Sequence, residues 1–476
     1  MDPTDIARWQ FAIITVYHFL FVPITIGLSA IVAGYQTAWV RTRNEQWLRL
    51  TKFFGKLFLI NFALGVVTGI VQEFQFGMNW SDYSRFVGDI FGAPLAIEGL
   101  LAFFLESTFL GLWIFGWDRL PEKLHLAAIW LVHVGTLFSA YFILAANSWM
   151  QHPVGYAFNP ETGRAEMNDF AAVLFNKVQL VTFPHVILSA YFTGAALVVG
   201  VAFWLMVRGK EEDRGMYRVA LRSGAAIALV AGLGVAVSGD IQGKIMTEVQ
   251  PMKMAAAEAL YETEAPAGFS LFTFGSLDGT EEKFAVKVPG LLSFLATGSP
   301  DSKVEGINDL RAQYEKTYGQ DPGASYYSPS GYVPNVPLSY WSFRLMIGFG
   351  VLGALVAAWL LLATRKGALP RGRVIMASAL VLPFLPLLAN SFGWIFTEIG
   401  RQPWAVFGLL TTASSVSPGV STFEVLTSLI VLSLLYGVLA FIEVRLMLTY
   451  IRRGADPAPD VDDAPTDGDR PLAFAY

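Results

Sequence analysis

The chain contains no cysteine. Disulfides, thiolate-held metals and iron–sulfur clusters are thereby excluded, because each requires a cysteine sulfur. Charge is scarce as well. Asp, Glu, Lys and Arg make up 15% of the 476 residues, against about 25% in an ordinary soluble domain. Nor is there a basic surplus: with a net charge of -5 and a pI near 5.6, no nucleic-acid partner is expected. Two catalytic signatures are also missing. No HExxH occurs, and the run from Gly239 to Gly243-Lys244 is one residue short of a phosphate loop, with Ile245 where Ser or Thr is required. The opening MDPTDIARWQ lacks the basic region and small-residue cleavage site of a signal peptide, so the first apolar run is expected to stay as a membrane helix.

What is abundant is apolar: 54% of residues are hydrophobic and the mean hydropathy is +0.49. A hydrocarbon core about 30 Å thick is crossed by roughly 20 apolar residues of helix. Nine segments qualify, at about 10–39, 53–76, 94–117, 125–147, 178–207, 217–238, 340–363, 372–396 and 421–449. Gly and polar interruptions within them suit helices that pack on each other rather than on lipid. The expected fold is therefore an all-α integral membrane protein of nine transmembrane helices. Its units are six spans over 1–238, a long external loop over 239–339 with helical stretches such as 247–264, three spans over 340–453, and an acidic, Pro-rich tail over 454–476 expected to be disordered.

Lys and Arg set the orientation. Arg41, Arg43, Arg49 and Lys52 follow the first span; Arg208, Lys210, Arg214 and Arg218 join spans five and six; Arg365, Lys366, Arg371 and Arg373 join spans seven and eight; Arg452 and Arg453 end the last. All these clusters fall on one side, which predicts an N-terminus outside and a C-terminus in the cytoplasm.

Ionisable residues inside a span are costly and mark candidate functional positions. They are His18, Glu73, Glu98, Glu106, His133, His185, Arg344 and Glu398, with His125 and Lys56 at cytoplasmic ends where they can snorkel. By this topology His18, His185, Met346 and Glu398 converge on the outer half of the membrane as four candidate iron ligands. Each has a plainer reading: a lone buried His is as often a hydrogen-bonded core residue, and a Met at helical spacing is ordinarily core filler. Met346 gains weight from Arg344 two residues earlier, whose guanidinium could meet a haem propionate bidentately. Glu98 and Glu106, about 12 Å apart along a helix, step inward and could relay protons, or serve as buried hydrogen-bonded acids. Five histidines fall short of the six of copper-containing haem oxidases, and His125 and His133 lack the paired spacing of a bc-type cytochrome b. A secondary transporter remains as a reading of another class. It would require inverted repeats and paired broken helices, and no repeat relates the two halves.

Long stretches resemble one family. YHFLFVPITIG (17–27), KLFLINFALGVVTGIVQEFQFGMNWSDYS (56–84), VGDIFGAPLAIEGLLAFFLESTFLGLWIFGWDRL (87–120), WMQHPVG (149–155) and GWIFTEIGRQPW (393–404) are similar to subunit I of the cytochrome bd-type quinol oxidases. The resemblance implies a haem-bearing subunit of a terminal respiratory oxidase in the bacterial cytoplasmic membrane. It would oxidise ubiquinol or menaquinol at the outer face and reduce O2 to water with cytoplasmic protons, without copper. It implies two haems b and one haem d, with His185 and Met346 as the axial pair of the low-spin haem b. His18 and Glu398 would ligate the two high-spin haems, in an order that is left open. Arg344, Arg8, Trp394 and Arg401 fall where haems or propionates are contacted, and Lys253 and Glu258 match the quinol-site pair, expected to border one shallow site. A second membrane subunit, subunit II, and a small accessory subunit are the implied partners within the lipid bilayer. A variant with haem b in place of haem d would use the same ligand set.

Overall fold

The computed structural model describes residues 2–276, 279–320 and 331–457. Among these, nine helices are long and apolar enough to cross a membrane, matching the nine expected segments one for one. α1 (Pro3–Thr42) starts where Asp2 caps it with Pro3 in the first turn, and α2 (Glu45–Met78) starts on the side chain of Asn44. The third span is composite: α3 (Ser81–Ile97), a π-helical segment at Glu98–Phe103, then α4 (Phe104–Phe115). α5 (Glu122–Gln151) leads through a hairpin, β1 (Tyr156–Asn159) with β2 (Arg164–Met167), and the short α6 (Phe170–Leu174) into α7 (Lys177–Arg208) and α8 (Arg214–Val249).

A cap then covers that end of the bundle. It holds α9 (Pro251–Glu258), the hairpin β3 (Phe269–Gly275) with β4 (Glu282–Val288), α10 (Leu291–Thr297) and α11 (Ile307–Tyr318). α12 (Val336–Ala363), α13 (Arg373–Val381), α14 (Phe384–Ile399), the small hairpin β5 (Trp404–Val406) with β6 (Leu410–Thr411), and α15 (Thr422–Arg453), opened by a Ser421–Glu424 capping box, complete the described chain.

Three boundaries differ from the sequence reading. α8 runs to Val249, so the loop expected from 239 begins later. The helical stretch expected at 247–264 is broken at Gln250 and ends at Ala259, whose φ of 49 closes α9 in the left-handed region. Pro251 cannot donate its nitrogen into α8 and instead starts the new helix. The eighth span is broken at Leu382-Pro383 for the same reason, into α13 and α14. The acidic tail expected over 454–476 falls outside the described residues from 458 onward.

The bundle is tightest where α7 packs on α8, and α7 also packs on α1. A Cβ on Gly27 would meet the Ala190 carbonyl at 2.3 Å, so the α1 and α7 backbones touch only because Gly27 and Gly194 face each other there. The largest apolar core, with Leu28, Phe54, Phe58, Val199, Phe203 and Leu221 fully buried, fills the half of the bundle nearest the clustered Lys and Arg residues. That half is the basic end; the opposite half, under α9–α11, is the cap end.

Candidate functional site

Four histidines lie in spanning helices, and their hydrogen bonds divide them into two pairs. His125 is satisfied on both sides: Gln36 Nε2 lies 2.7 Å from its Nδ1, and its Nε2 faces the Trp113 carbonyl at 2.8 Å. His133 is engaged by Ser29 Oγ at 2.9 Å and by Tyr191 OH at 3.1 Å. These are the core histidines that the plainer reading describes.

His18 and His185 are different. His18 Nδ1 lies 2.8 Å from Thr68 Oγ1, and that hydroxyl donates to the Gly65 carbonyl at 2.9 Å. His185 Nδ1 lies 3.0 Å from Ser238 Oγ, which donates to Gly234 O at 2.7 Å. A hydroxyl has one proton. With that proton committed to a carbonyl, the hydroxyl accepts from Nδ1–H, which leaves Nε2 as a bare lone pair. No hydrogen bond reaches Nε2 of either ring among the described residues. This is how a protein orients a histidine toward a metal. The neighbouring helix leaves room in each case: a Cβ on Gly69 would come within 3.1 Å of His18 Cε1, and one on Gly239 within 3.3 Å of His185 Cε1.

Met346 Sδ lies over Gly393 of α14, where a Cβ would approach to 2.9 Å. Glu398, at the end of α14, pairs with Arg401 and accepts from Asn147 Nδ2 at 3.3 Å. Several polar groups of this end of the bundle lack partners. Trp394 Nε1, Arg401 Nη1, Tyr83 OH, Trp80 Nε1 and both polar atoms of the Gln75 amide are buried with no hydrogen bond among the described residues. Each such group costs about 1–3 kcal/mol when left unpaired, so their concentration needs an occupant. A haem, with an iron for the imidazoles and two propionates for indole and guanidinium donors, fits this donor set. Arg8, also expected near the haems, donates from Nη2 to Gln402 Oε1 at 3.4 Å.

Two expected sites are occupied by contacts within the chain. Arg344, expected to meet a propionate, has its five N–H groups engaged by protein acceptors. Nε and Nη2 reach Ser270 O at 2.8 and 2.6 Å, Nη1 reaches Ala257 O and Glu258 Oε1, and Nη2 reaches Glu258 Oε2 at 2.7 Å. The bidentate partner is thus a protein carboxylate. Lys253 and Glu258 were expected to border one shallow site, yet both are buried, at 3% and 2% exposure. Five residues apart on a helix, they point in different directions. Lys253 Nζ turns to Gln151 Oε1 at 3.2 Å and Thr397 O at 3.0 Å, beside Glu398. Burial, aided by the Arg401 charge and opposed by Glu398, lowers the Lys253 ammonium to about 7. Burial raises Glu258 against the opposing pull of Arg344. α9 therefore bridges two places: the Glu398 end of α14 and the Arg344 turn of α12.

The acids of the third span sit at its irregularity. Glu98 opens the π-helical segment and accepts from Ser139 Oγ at 2.7 Å. Glu106 is buried over Gly135, where a Cβ would strike its Cγ at 2.6 Å. Gly135 and Ser139 lie one turn apart on α5, so one face of α5 serves both acids. Glu98 lies within electrostatic reach of Glu73 and of Glu106. Sequence reading missed Glu443, a further ionisable residue within the last span, α15. It also missed Thr68 and Ser238, because a hydroxyl in an apolar run carries no sign of its partner.

Comparison with known proteins follows this geometry. Residues 6–455 match the family model described as cytochrome bd terminal oxidase subunit I. The chain is 48% identical over 459 residues, 96% of its length and 95% of the relative's, to cytochrome bd ubiquinol oxidase subunit 1 of Bacillus subtilis. It is 40% identical to cytochrome bd-II ubiquinol oxidase subunit 1 of Escherichia coli, covering 98% of this chain and 99% of that one. The bd oxidase structure from Geobacillus thermodenitrificans superposes with a TM-score of 0.83 at 28% identity, over 95% of this chain and 99% of that one. A transporter is thereby set aside: the chain belongs to the cytochrome bd terminal oxidase subunit I family and is a membrane-spanning quinol:oxygen oxidoreductase subunit.

Proposed function

We propose that the chain holds two haems b and one haem d at the cap end, oxidises quinol there, and draws protons for oxygen reduction from the basic end. The observation that carries this reading is the pair of half-buried imidazoles, His18 and His185, each with Nδ1 held by a committed hydroxyl and Nε2 open. His185 and Met346 would hold the low-spin haem b, and His18 and Glu398 the two high-spin haems. Trp394, Arg401 and Arg8 would receive propionates. Bound there, the haems would supply the electron path and the oxygen-binding iron, and no copper is required.

The chain's own residues then move protons. Glu258, its carboxylate held by Arg344 at the base of the cap, takes the proton of a quinol hydroxyl as the electrons leave. Lys253 fixes α9 against Thr397 and Gln151 next to Glu398, and so sets the distance between the quinol segment and the oxygen site. Glu106 and Glu98 pass protons inward, Glu98 receiving orientation from Ser139. The clustered Lys and Arg residues support a cytoplasmic basic end, an external cap and an external N-terminus in the bacterial cytoplasmic membrane. With quinol protons released outside and oxygen protons taken from inside, each charge separated is worth about 2.3 kcal/mol per 100 mV. Subunit II and a small accessory subunit complete the complex. Menaquinol and ubiquinol are both candidate donors.

The test is pigment extraction and reduced-minus-oxidised spectroscopy of the purified complex with His18→Ala and His185→Ala. Each variant should lose a different haem. Full haem content in both would overturn the assignment.

A further inference from the structure

Cations at the basic end are arranged in two ways. Many are neutralised: Arg43 by Glu122, Arg49 by Asp213, Lys56 and Arg453 by Asp456, Lys210 by Glu212 and Arg214 by Glu211. Between α8 and α12 the pattern breaks. Arg218, Arg222, Arg365 and Lys366 line one open cup together with Thr364 and Gly367. None of these four cations is in an ion pair among the described residues, and Arg218 donates only to the Ala368 carbonyl, at 3.3 Å.

The chain builds this cup by a sharp turn. After α12, Lys366 and Gly367 take φ values of 51 and 81, both left-handed, which folds the backbone back toward α8. Gly367 then lies so close to Arg218 that a Cβ would stand 3.1 Å from Nη1. Four like charges held together repel one another, and an anion between them removes that cost. Below the cup the surface is apolar. On α8, Val230 and Leu233 are 72% and 69% exposed, and on α12 Leu355 and Leu362 are 62% and 56% exposed. Gly232 faces Ala354, whose Cβ would lie 3.8 Å from a Cβ built there, so α8 and α12 pack side by side beneath the cup and leave a shallow seam between their exposed apolar residues. From Arg222 to Val237 the stripe is about 22 Å long at the helical rise, enough to cross the roughly 15 Å of hydrocarbon in one leaflet.

We propose that this cup binds the phosphate of an anionic phospholipid whose acyl chains lie along the α8–α12 seam. A free phosphate would use the charges and leave the seam unused. A zwitterionic lipid brings its own cation into a site that already has four. An anionic lipid matches both halves, and basic pockets between helices at a membrane boundary recognise such headgroups.

Native mass spectrometry of the intact oxidase complex tests this, after exchange into phosphatidylglycerol, into phosphatidylcholine, or into detergent with millimolar inorganic phosphate. The wild type should retain one more phosphatidylglycerol than the double variant Arg222→Gln, Lys366→Gln. Each removed cation should weaken retention about fivefold. The charge-keeping pair Arg222→Lys, Lys366→Arg and the control Lys210→Gln should retain the lipid, and unchanged haem spectra confirm that each variant is folded. Equal retention in the double variant, equal retention of phosphatidylcholine, or release of the bound lipid by inorganic phosphate alone would each overturn the proposal.

Discussion

The cap end and the basic end of this bundle differ in how their histidines and neighbouring polar groups are satisfied. At the basic end His125 has its partners: it sits between Gln36 and the Trp113 carbonyl, and Trp113 Nε1 donates to Gln36 Oε1 at 2.7 Å. At the cap end Trp394 Nε1, Arg401 Nη1, Trp80 Nε1 and the Gln75 amide are buried without a hydrogen-bond partner among the described residues. A protein interior does not sustain many such groups, and this contrast supports the proposed placement of haem at the cap end. It also shows that residue type alone decides little. His133 and His185 are both span imidazoles held by a serine hydroxyl, and they differ in burial, His133 being buried and His185 half-buried, and in whether Tyr191 closes the second nitrogen.

The comparison can be broken most severely at the ligands. Met346→Leu keeps the volume and removes the thioether, and should convert the low-spin signal to high-spin or abolish it, with quinol-driven oxygen uptake lost. A persistent low-spin spectrum would detach Met346 from the site. Glu398→Ala should delete a high-spin haem in the same way, read by pigment content. Next in size, Glu106→Gln keeps shape but cannot ionise. Turnover should fall about a hundredfold with haem content retained, and normal turnover with Gln at both 98 and 106 would leave these acids a structural role. Ser238→Ala and Thr68→Val remove only the hydroxyl that orients each ring. Haem retention or activity should drop by about 10- to 100-fold, in the low-spin signal for the first and a high-spin signal for the second. Glu258→Gln should depress quinol-driven uptake while an artificial donor that feeds the haems directly still works; equal loss with both donors would place Glu258 outside quinol oxidation. The smallest effect belongs to the basic end. His125→Gln should lower thermal stability by about 1–3 kcal/mol and leave all haem spectra intact.

Much of this was legible in the sequence because apolar runs of membrane length are unambiguous: all nine spans are where hydropathy puts them. What escaped has a physical pattern. The break at Pro383 was hidden because the apolar composition continues across it, the break at Gln250-Pro251 because the helical stretch expected at 247–264 ran across that proline, and the π-helical segment at Glu98–Phe103 has no compositional mark. Spacing placed Lys253 and Glu258 on one helix. It could not show that the cap folds over them, which requires β3 to lay the Ser270 carbonyl against Arg344. The neighbour two residues from Met346 suggested a propionate for Arg344, while its partner came from 86 residues away in the chain. Candidate ligands could be named from residue type and depth; their readiness depended on hydroxyls of other helices.

The central claim is that open imidazoles, not buried imidazoles in general, hold the iron. The most direct measurement is a matched pair of variants, His185→Ala and His133→Ala, compared by haem content and low-spin absorbance in the purified complex. The account predicts loss of the low-spin haem in the first and full haem content in the second. Retention in the first, or an equal loss in both, would contradict it.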